Sequence, residues 1–122
     1  MSTIRLASVS LDCSNPSDLA AFYARLLGTE VTFDSEQFAA IRLDKFWLSA
    51  QRIENYRPPA WPDADQPQQI HLDMAVDDLE GAEAAAVAAG AIKASVQPSP
   101  ERWRVMIDPA GHPFCLSTLI PD

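Results

Sequence analysis

Residues 11–28 read LDCSNPSDLAAFYARLLG, and this stretch decides the fold because residues 74–90, MAVDDLEGAEAAAVAAG, repeat its plan. In each copy an apolar strand runs into a helix-start signal, then a helix with an apolar stripe, and then a glycine that ends the helix. The two terminal glycines, Gly28 and Gly90, stand about half a chain length apart. Two copies of one supersecondary unit therefore account for nearly the whole sequence.

Capping residues and apolar stripes predict the two helices. In the first helix Asn15 is the expected N-cap and Pro16 the first helical residue. In the second, Asp77 is the expected cap, with Glu80 three residues later in the manner of a capping box. The second stripe is mostly alanine, so we expect that helix to pack closely. The stripe that we expect the first helix to bury comprises Leu19, Phe22, Tyr23, Leu26 and Leu27.

Strand-like segments precede and follow each predicted helix. They lie at Ile4 to Cys13, Glu30 to Asp34, Gln37 to Leu43 and Phe46 to Ile53 in the first half, and at Gln69 to Val76, Ile92 to Val96, Arg102 to Ile107 and Phe114 to Leu119 in the second. Each half thus predicts a βαβββ module, and the fold class is α+β. We expect one domain, with module one at residues 1–54, a proline-rich connector at 55–68 and module two at 69–122.

Composition and charge exclude several classes of function. The chain is 48% hydrophobic and 21% charged, as expected for a globular domain. Its net charge of −8 repels nucleic acid and anionic membranes at long range, so neither is an expected partner. The N-terminus has no secretory signal pattern, and Cys13 and Cys115 both lie in apolar strand segments. Buried free thiols suit a reducing compartment, so we expect a cytoplasmic protein.

The order of these motifs resembles the vicinal oxygen chelate superfamily, which includes glyoxalase I, bleomycin-resistance proteins, extradiol dioxygenases and fosfomycin-resistance enzymes. The segments that carry the resemblance are Asn15-Pro16, Phe22-Tyr23, Leu26-Leu27-Gly28, Val76-Asp77-Asp78-Leu79 and Asp108 to Phe114. The chain is most similar to the small bacterial glyoxalase-like branch. The resemblance implies that the two modules form a cupped mixed sheet around a ligand cavity, with the helices on the outer face. It also implies a homodimer.

Strand alternation selects the side chains that would line such a cavity. From Gln69 onward, Ile70, Leu72, Met74 and Val76 share the face expected under the helix, whereas His71 and Asp73 share the other face. Ser8 and Ser10 occupy the matching polar row of the first module, and Trp47 is expected to form an aromatic wall. The predicted ligand pocket consists of Ser8, Ser10, Trp47, Ser49, Gln51, His71, Asp73, Arg104 and Cys115.

The direction of the Arg104 side chain depends on which face of its strand lies against the helix. If Trp103, Val105 and Ile107 cover the helix side, Arg104 points into the cavity, where its guanidinium could hold a carboxylate or phosphate. The alternative is an ion pair between Arg104 and one of the seventeen acidic residues.

The family's usual metal-ligand positions are mostly altered. His71 matches a ligand position of metal-dependent members, but Ser8 and Cys115 stand at two others, and Ser49 or Gln51 is the nearest match at the last. Zinc would accept His71 and Cys115, yet the sequence shows no third ligand. We therefore expect no cofactor and no metal site, with a divalent metal at His71 as the less favoured alternative.

Three hypotheses of function follow. The preferred one is a metal-independent protein that binds an unknown small molecule, in the manner of bleomycin-resistance proteins. The alternative is a metal-dependent lyase or dioxygenase with a non-standard ligand set that includes His71, and no catalytic residue is assigned for it. A third is an accessory domain that acts on a protein partner through the proline-rich connector.

Overall fold

A computed structural model describes residues 5–62 and 65–121 of the chain. The chain divides into two compact units, Met1–Arg57 and Pro58–Asp122. We call them unit one and unit two. The boundary lies inside the predicted proline-rich connector. Ile4 of the first predicted strand and Asp63 and Ala64 of the connector lie outside the described residues.

Unit one is a βαβββ module. Its elements are β1 (Ser8–Cys13), α1 (Pro16–Leu27), β2 (Val31–Asp34), β3 (Phe38–Leu43) and β4 (Phe46–Arg52). The strands form one sheet in the order β1-β4-β3-β2. β1 and β4 are parallel, whereas the other neighbours are antiparallel. A parallel pair needs a long crossover connection, and α1 belongs to that connection.

Unit two repeats this topology. Its elements are β5 (Leu72–Ala75), α2 (Leu79–Ala89), β6 (Ile92–Lys93), β7 (Trp103–Ile107) and β8 (Pro113–Ser117), and the sheet order is β5-β8-β7-β6. β5 and β8 are the parallel pair. The predicted α+β class with two tandem βαβββ modules is thus confirmed. Within residues 5–62 and 65–121, neither helix has the length and apolar character needed to cross a bilayer.

Helix α1 has the predicted caps and most of the predicted buried stripe. The side-chain oxygen of Asn15 accepts a hydrogen bond from the backbone N–H of Asp18, and Gly28 ends the helix at φ +69°. Leu19, Phe22 and Tyr23 are buried, and the last two rings meet edge to face at 4.7 Å between centroids. The two leucines at positions 26 and 27 are only partly buried, contrary to expectation. The buried stripe therefore ends one turn before the helix does.

The predicted cap of α2 is wrong by one residue. Asp78, not Asp77, has the extended backbone of an N-cap, and its carboxylate accepts from the backbone N–H groups of Glu80 and Gly81. Glu80 therefore stands too close to the cap to form a capping box. Among the alanines of the stripe, only Ala86 and Ala89 are fully buried. The helix thus offers little apolar surface to its sheet.

The turn between β7 and β8 is organised by a buried carboxylate. Asp108 accepts hydrogen bonds from the backbone N–H groups of Ala110 and His112, both at 2.9 Å. Its own backbone carbonyl accepts from Gly111, which has a φ of +92°. A Cβ atom at Gly111 would lie 2.5 Å from the Cβ of Pro58. The proline-rich segment therefore closes on this turn at a position where only glycine fits.

We predict that Gly111→Ala destabilises the protein more than Gly28→Ala does. Both glycines have positive φ, so alanine is strained by about 1 kcal/mol at either position. A Cβ at Gly28 meets nothing within 4 Å, whereas at Gly111 it collides with Pro58. Urea unfolding of the two variants measures the difference. Equal losses in the free energy of unfolding would show that the contact with Pro58 is unimportant.

Candidate ligand-binding site

Unit two contains a pocket of about 390 Å³ on the sheet face opposite α2. This volume lies within the range typical of small-molecule sites. The walls are mostly apolar, with a few polar groups among them. The residues that line the pocket are Trp61, Gln68, His71, Asp73, Pro98, Trp103, Val105, Pro113, Cys115, Ser117 and Ile120.

Strand pairing brings the central side chains of the pocket together. Asp73 on β5 is the register partner of Cys115 on β8, and Cys115 is the partner of Val105 on β7. Paired residues of a sheet point to the same face, so these three side chains form one row across three strands. Met106 and Phe114 of the alternate row are fully buried, whereas Leu72 and Met74 of β5 are only partly buried. Asp73 lies on the open face of β5. The prediction that Ile70 lies under the helix is wrong, because Ile70 precedes β5 and is 63% exposed.

His71, Asp73 and Cys115 form a compact polar cluster in this pocket. The Nε2 atom of His71 lies 3.3 Å from Oδ1 of Asp73. The imidazole nitrogen, carboxylate oxygen and thiol sulfur of the cluster all lie within 4.8 Å of one another. The side chains of His71 and Asp73 are 40% and 51% exposed, so a molecule entering the pocket can reach them. A histidine oriented by a carboxylate is also a typical proton acceptor.

The thiol of Cys115 is held in its neutral form. Burial, together with the charge of Asp73 and a hydrogen bond to its carboxylate, raises the pKa of Cys115 to about 11. The thiolate is the nucleophilic form, so Cys115 is a poor nucleophile at neutral pH. The folded protein keeps a proton that the unfolded chain releases at lower pH. The protonated thiol therefore stabilises the folded protein relative to the unfolded chain below pH 9, and this stabilisation is lost as the pH rises towards 11.

Gln68, which is one of the pocket residues, contains a buried polar atom that lacks a partner. Its Oε1 atom is buried and accepts no hydrogen bond from any described residue. Leaving a buried acceptor without a partner costs about 1–3 kcal/mol. Gln68 lines the same pocket as Trp61 and Trp103, which supply large apolar surfaces. The pocket therefore combines apolar walls with one acceptor that lacks a donor.

Arg104, which was a predicted pocket residue, does not line this pocket. Its guanidinium lies 2.7 Å from Glu80 and 3.1 Å from Glu83, both on α2. These contacts raise the pKa of Arg104 and hold that of Glu80 below its usual value. The structure thus confirms the alternative in which Arg104 forms ion pairs with acidic residues. The long stem of arginine can cover apolar sheet while its charge reaches the helix, so it can occupy a helix-facing row.

The other predicted pocket residues lie in unit one. Ser8 and Ser49 are 3.4 Å apart between their Oγ atoms. Ser10 is the register partner of Ser49, and Trp47 is the partner of Ser8, so these four side chains share one face. The fifth predicted residue there, Gln51, donates from Nε2 to the backbone carbonyl of Gln37 at 3.3 Å. Their role in ligand binding stays a prediction.

Several residues that line the pocket were not predicted from the sequence. Trp61 and Gln68 lie in the proline-rich connector, where no strand alternation is available to assign a face. Trp103 and Val105 lie on β7, whose facing the sequence left open. The sequence signal for Trp61 is that a large aromatic residue lies in a loop. Such a side chain is buried only when the loop packs against the body of the protein.

Two tandem βαβββ modules, one with a pocket on the open face of its sheet, define a fold of the vicinal oxygen chelate class. The model of the glyoxalase-like domain family matches residues 8–117. The chain therefore belongs to the glyoxalase-like domain family, as the sequence resemblance predicted. Among curated protein sequences, none matches this chain.

Solved structures with low sequence identity share the fold. A glyoxalase-related enzyme from Fulvimarina pelagi is 17% identical, with a TM-score of 0.70 over 93% of this chain and 86% of that one. A mutant fosfomycin resistance protein from Listeria monocytogenes, in complex with Mn(II) and 1S,2S-dihydroxypropylphosphonic acid, is 13% identical, with a TM-score of 0.68 over 97% and 91%. The bleomycin-binding protein from Streptomyces verticillus, in complex with copper(II)-bleomycin, is 20% identical, with a TM-score of 0.61 over 96% and 98%.

We predict that Asp73→Asn lowers the pKa of the Cys115 thiol from about 11 towards its ordinary value, because it removes the negative charge that disfavours the thiolate. Burial remains and still raises the pKa, so the shift is partial. The thiolate absorbance of chelator-treated protein, titrated in a Cys13→Ser background, measures it. Asp77→Asn, which changes an exposed acid outside the pocket, is the control and should leave the titration unchanged. An identical titration in all three proteins would contradict the role given to Asp73.

Proposed function

We propose that this protein binds a small organic molecule in the pocket of unit two and does so without a metal ion. The observation that carries the proposal is the pocket itself, which has a volume of about 390 Å³, mostly apolar walls and the polar side chains of His71, Asp73 and Gln68 among them. The Oε1 atom of Gln68 is buried and has no hydrogen-bond partner among the described residues. If the amide of Gln68 turns towards the pocket, a ligand that donates a hydrogen bond would satisfy it.

The pocket limits the chemistry of this ligand. About 390 Å³ suits a small molecule, and the indole rings of Trp61 and Trp103 favour a flat apolar body. Such a ligand would direct an N–H or O–H group towards Gln68. Its other polar group would meet the exposed pair of His71 and Asp73. The complex of a structural neighbour with copper(II)-bleomycin supports small-molecule binding by proteins of this fold.

The polar cluster supports binding without a metal. Asp73 already contacts His71 and accepts from the Cys115 thiol, so the three groups satisfy one another. A neutral, hydrogen-bonded thiol is a stable state for this site at neutral pH. Metal-independent binding therefore requires no rearrangement of these side chains.

We predict that the pocket prefers a ligand with a hydrogen-bond donor, and that Gln68→Met removes the preference. Benzamide and methyl benzoate form a matched pair in which only the amide donates. The amide should bind roughly tenfold more tightly, which corresponds to one satisfied buried acceptor. Titrations followed by the indole N–H resonance of Trp103 measure both affinities.

The neighbouring Gln69→Met is the matched control, because Gln69 is exposed and does not line the pocket. It should retain the preference for the amide. If Gln68→Met retains it as well, Gln68 is not the recognising group. If neither probe perturbs Trp103 at millimolar concentration, the assignment of this pocket as a site for flat apolar amides is wrong.

A zinc site is the second candidate, and the convergence of His71, Asp73 and Cys115 favours it. Asp73 would be the third ligand of such a site. Imidazole, carboxylate and thiolate together suit zinc better than Mg²⁺ or Mn²⁺, which prefer oxygen ligands. Tetrahedral zinc separates such ligand atoms by about 3.5 Å, so a cluster that spans 4.8 Å would contract by about 1 Å. Zinc held by three protein groups offers a fourth position to a water or substrate oxygen, which is the chemistry of a lyase.

We predict substoichiometric zinc in protein purified without chelator, and ligand binding that survives chelator treatment, because the cluster is already satisfied by its internal hydrogen bonds. Elemental analysis by mass spectrometry measures the metal content. One zinc ion per chain, lost in Cys115→Ser but kept in Cys13→Ser, would replace the metal-free proposal with the zinc site. Cys13 is a suitable control because it is a buried cysteine of unit one that does not belong to the cluster.

The homodimer and the cytoplasmic location that the sequence suggested stay predictions. Two free cysteines agree with a reducing compartment. Light scattering during gel filtration would test the homodimer directly.

A further inference from the structure

Unit one has a pocket of its own that the proposed function does not use. It has a volume of about 410 Å³. It lies at the end of the sheet where the chain enters β1 and where the two-residue turn at Asp44 and Lys45 joins β3 to β4. The backbone N–H of Trp47 donates to the carbonyl of Ala7, which holds the entering segment against β4. None of its lining residues belongs to the pocket of unit two.

The charge of this pocket opposes that of the whole protein. Arg5, Arg42 and Lys45 line it, which is one third of the nine basic residues, against Asp44 alone among the seventeen acidic ones. Over the described part of the chain, the ion pairs are made by other cations, such as Lys93 and Arg104. The three cations of the pocket are therefore not neutralised by described acids within 4 Å. A local positive field in a chain of net charge −8 attracts a small anion.

The apolar part of the pocket lies beside these charges. The guanidinium carbon of Arg42 lies 5.6 Å from the ring centroid of Trp47, within the range of a cation–π contact. Stacking engages the face of the guanidinium and leaves the N–H groups at its edge available to an anion. Phe46 and Leu6 complete the apolar wall, and Leu6 is 75% exposed. Exposed apolar surface next to uncompensated cations fits a ligand with both characters.

We propose that this pocket binds a small organic anion, in which a carboxylate or phosphate group is attached to a flat apolar body. Arg42 holds the anionic group through a bidentate contact, and Arg5 and Lys45 add charge around it. The apolar body lies against Leu6, Phe46 and Trp47. The site is independent of the proposed ligand of unit two, since it uses different residues of a different module.

Calorimetric titration of the whole protein with benzoate, phenyl phosphate and inorganic phosphate tests the proposal. Benzoate or phenyl phosphate should bind saturably and should shift the indole N–H resonance of Trp47, assigned with Trp47→Phe. The tighter of the two identifies the anionic group, whereas inorganic phosphate should bind more weakly than either. Arg42→Gln should weaken binding roughly ten- to hundredfold. Asp44→Asn should strengthen it, because it removes the one negative charge in the pocket.

Arg102→Gln is the matched control, since Arg102 is exposed and belongs to unit two. It should leave the affinity unchanged. Equal losses in Arg42→Gln and Arg102→Gln would show a general charge effect and would overturn the site. Inorganic phosphate binding as tightly as phenyl phosphate would overturn the role of the apolar wall. Absence of saturation with all three probes, in protein that is folded by circular dichroism, would overturn the proposal as a whole.

Discussion

The parallel pairing of β5 with β8 is the constraint on which the pocket of unit two depends. It sets Asp73 against Cys115 and Leu72 against Phe114, so that Asp73 and Cys115 line the pocket while the apolar row of Leu72 and Phe114 lies on the other face. Because side chains alternate across a strand, a shift of one residue would bring Asp73 into the apolar row and turn Leu72 out. Because the apolar row must lie under α2, Asp73 and Cys115 must lie on the opposite face of the sheet. The hydrogen bond from Val76 to Ser117 extends the same register beyond the strand.

The two modules share a topology but differ in how their sheets are used. In unit one, α1 covers its sheet with large buried side chains such as Phe22 and Tyr23. In unit two the helix is rich in alanine, and the large aromatic residue Trp103 lies on the open face of the sheet instead. An aromatic side chain on the pocket side of the sheet, rather than on the helix side, is available to a ligand. Duplication thus conserves the backbone plan while each copy acquires a different surface chemistry.

The sequence predicted the elements well because each has a local cause. Capping at Asn15 and a stop at Gly28 are properties of short segments, and the structure has both. The strand predicted from Gln69 to Val76 is shorter in the structure, where β5 is Leu72–Ala75 and His71 precedes it. The facing of β7 could not be predicted, since both of its rows contain residues able to lie against a helix. In the folded chain Arg104 contacts Glu80 and Glu83, which stand more than twenty positions earlier in the sequence. His71, Asp73 and Cys115 were all predicted to line one pocket, and the structure brings them together although Cys115 is more than forty positions from the other two. Gln68 was missed because the connector has no periodicity.

The ion pairs between α2 and β7 have a consequence for how the second helix stays attached. Arg104 reaches both Glu80 and Glu83, and Lys93 reaches Glu83 at 3.2 Å, so two neighbouring strands hold the helix through charge. Attraction of this kind weakens in concentrated salt, whereas burial of apolar rings does not. The attachment of the second helix should thus depend on ionic strength. A duplicated architecture can in this way contain one helix whose attachment rests on buried rings and one helix whose attachment responds to its electrolyte surroundings.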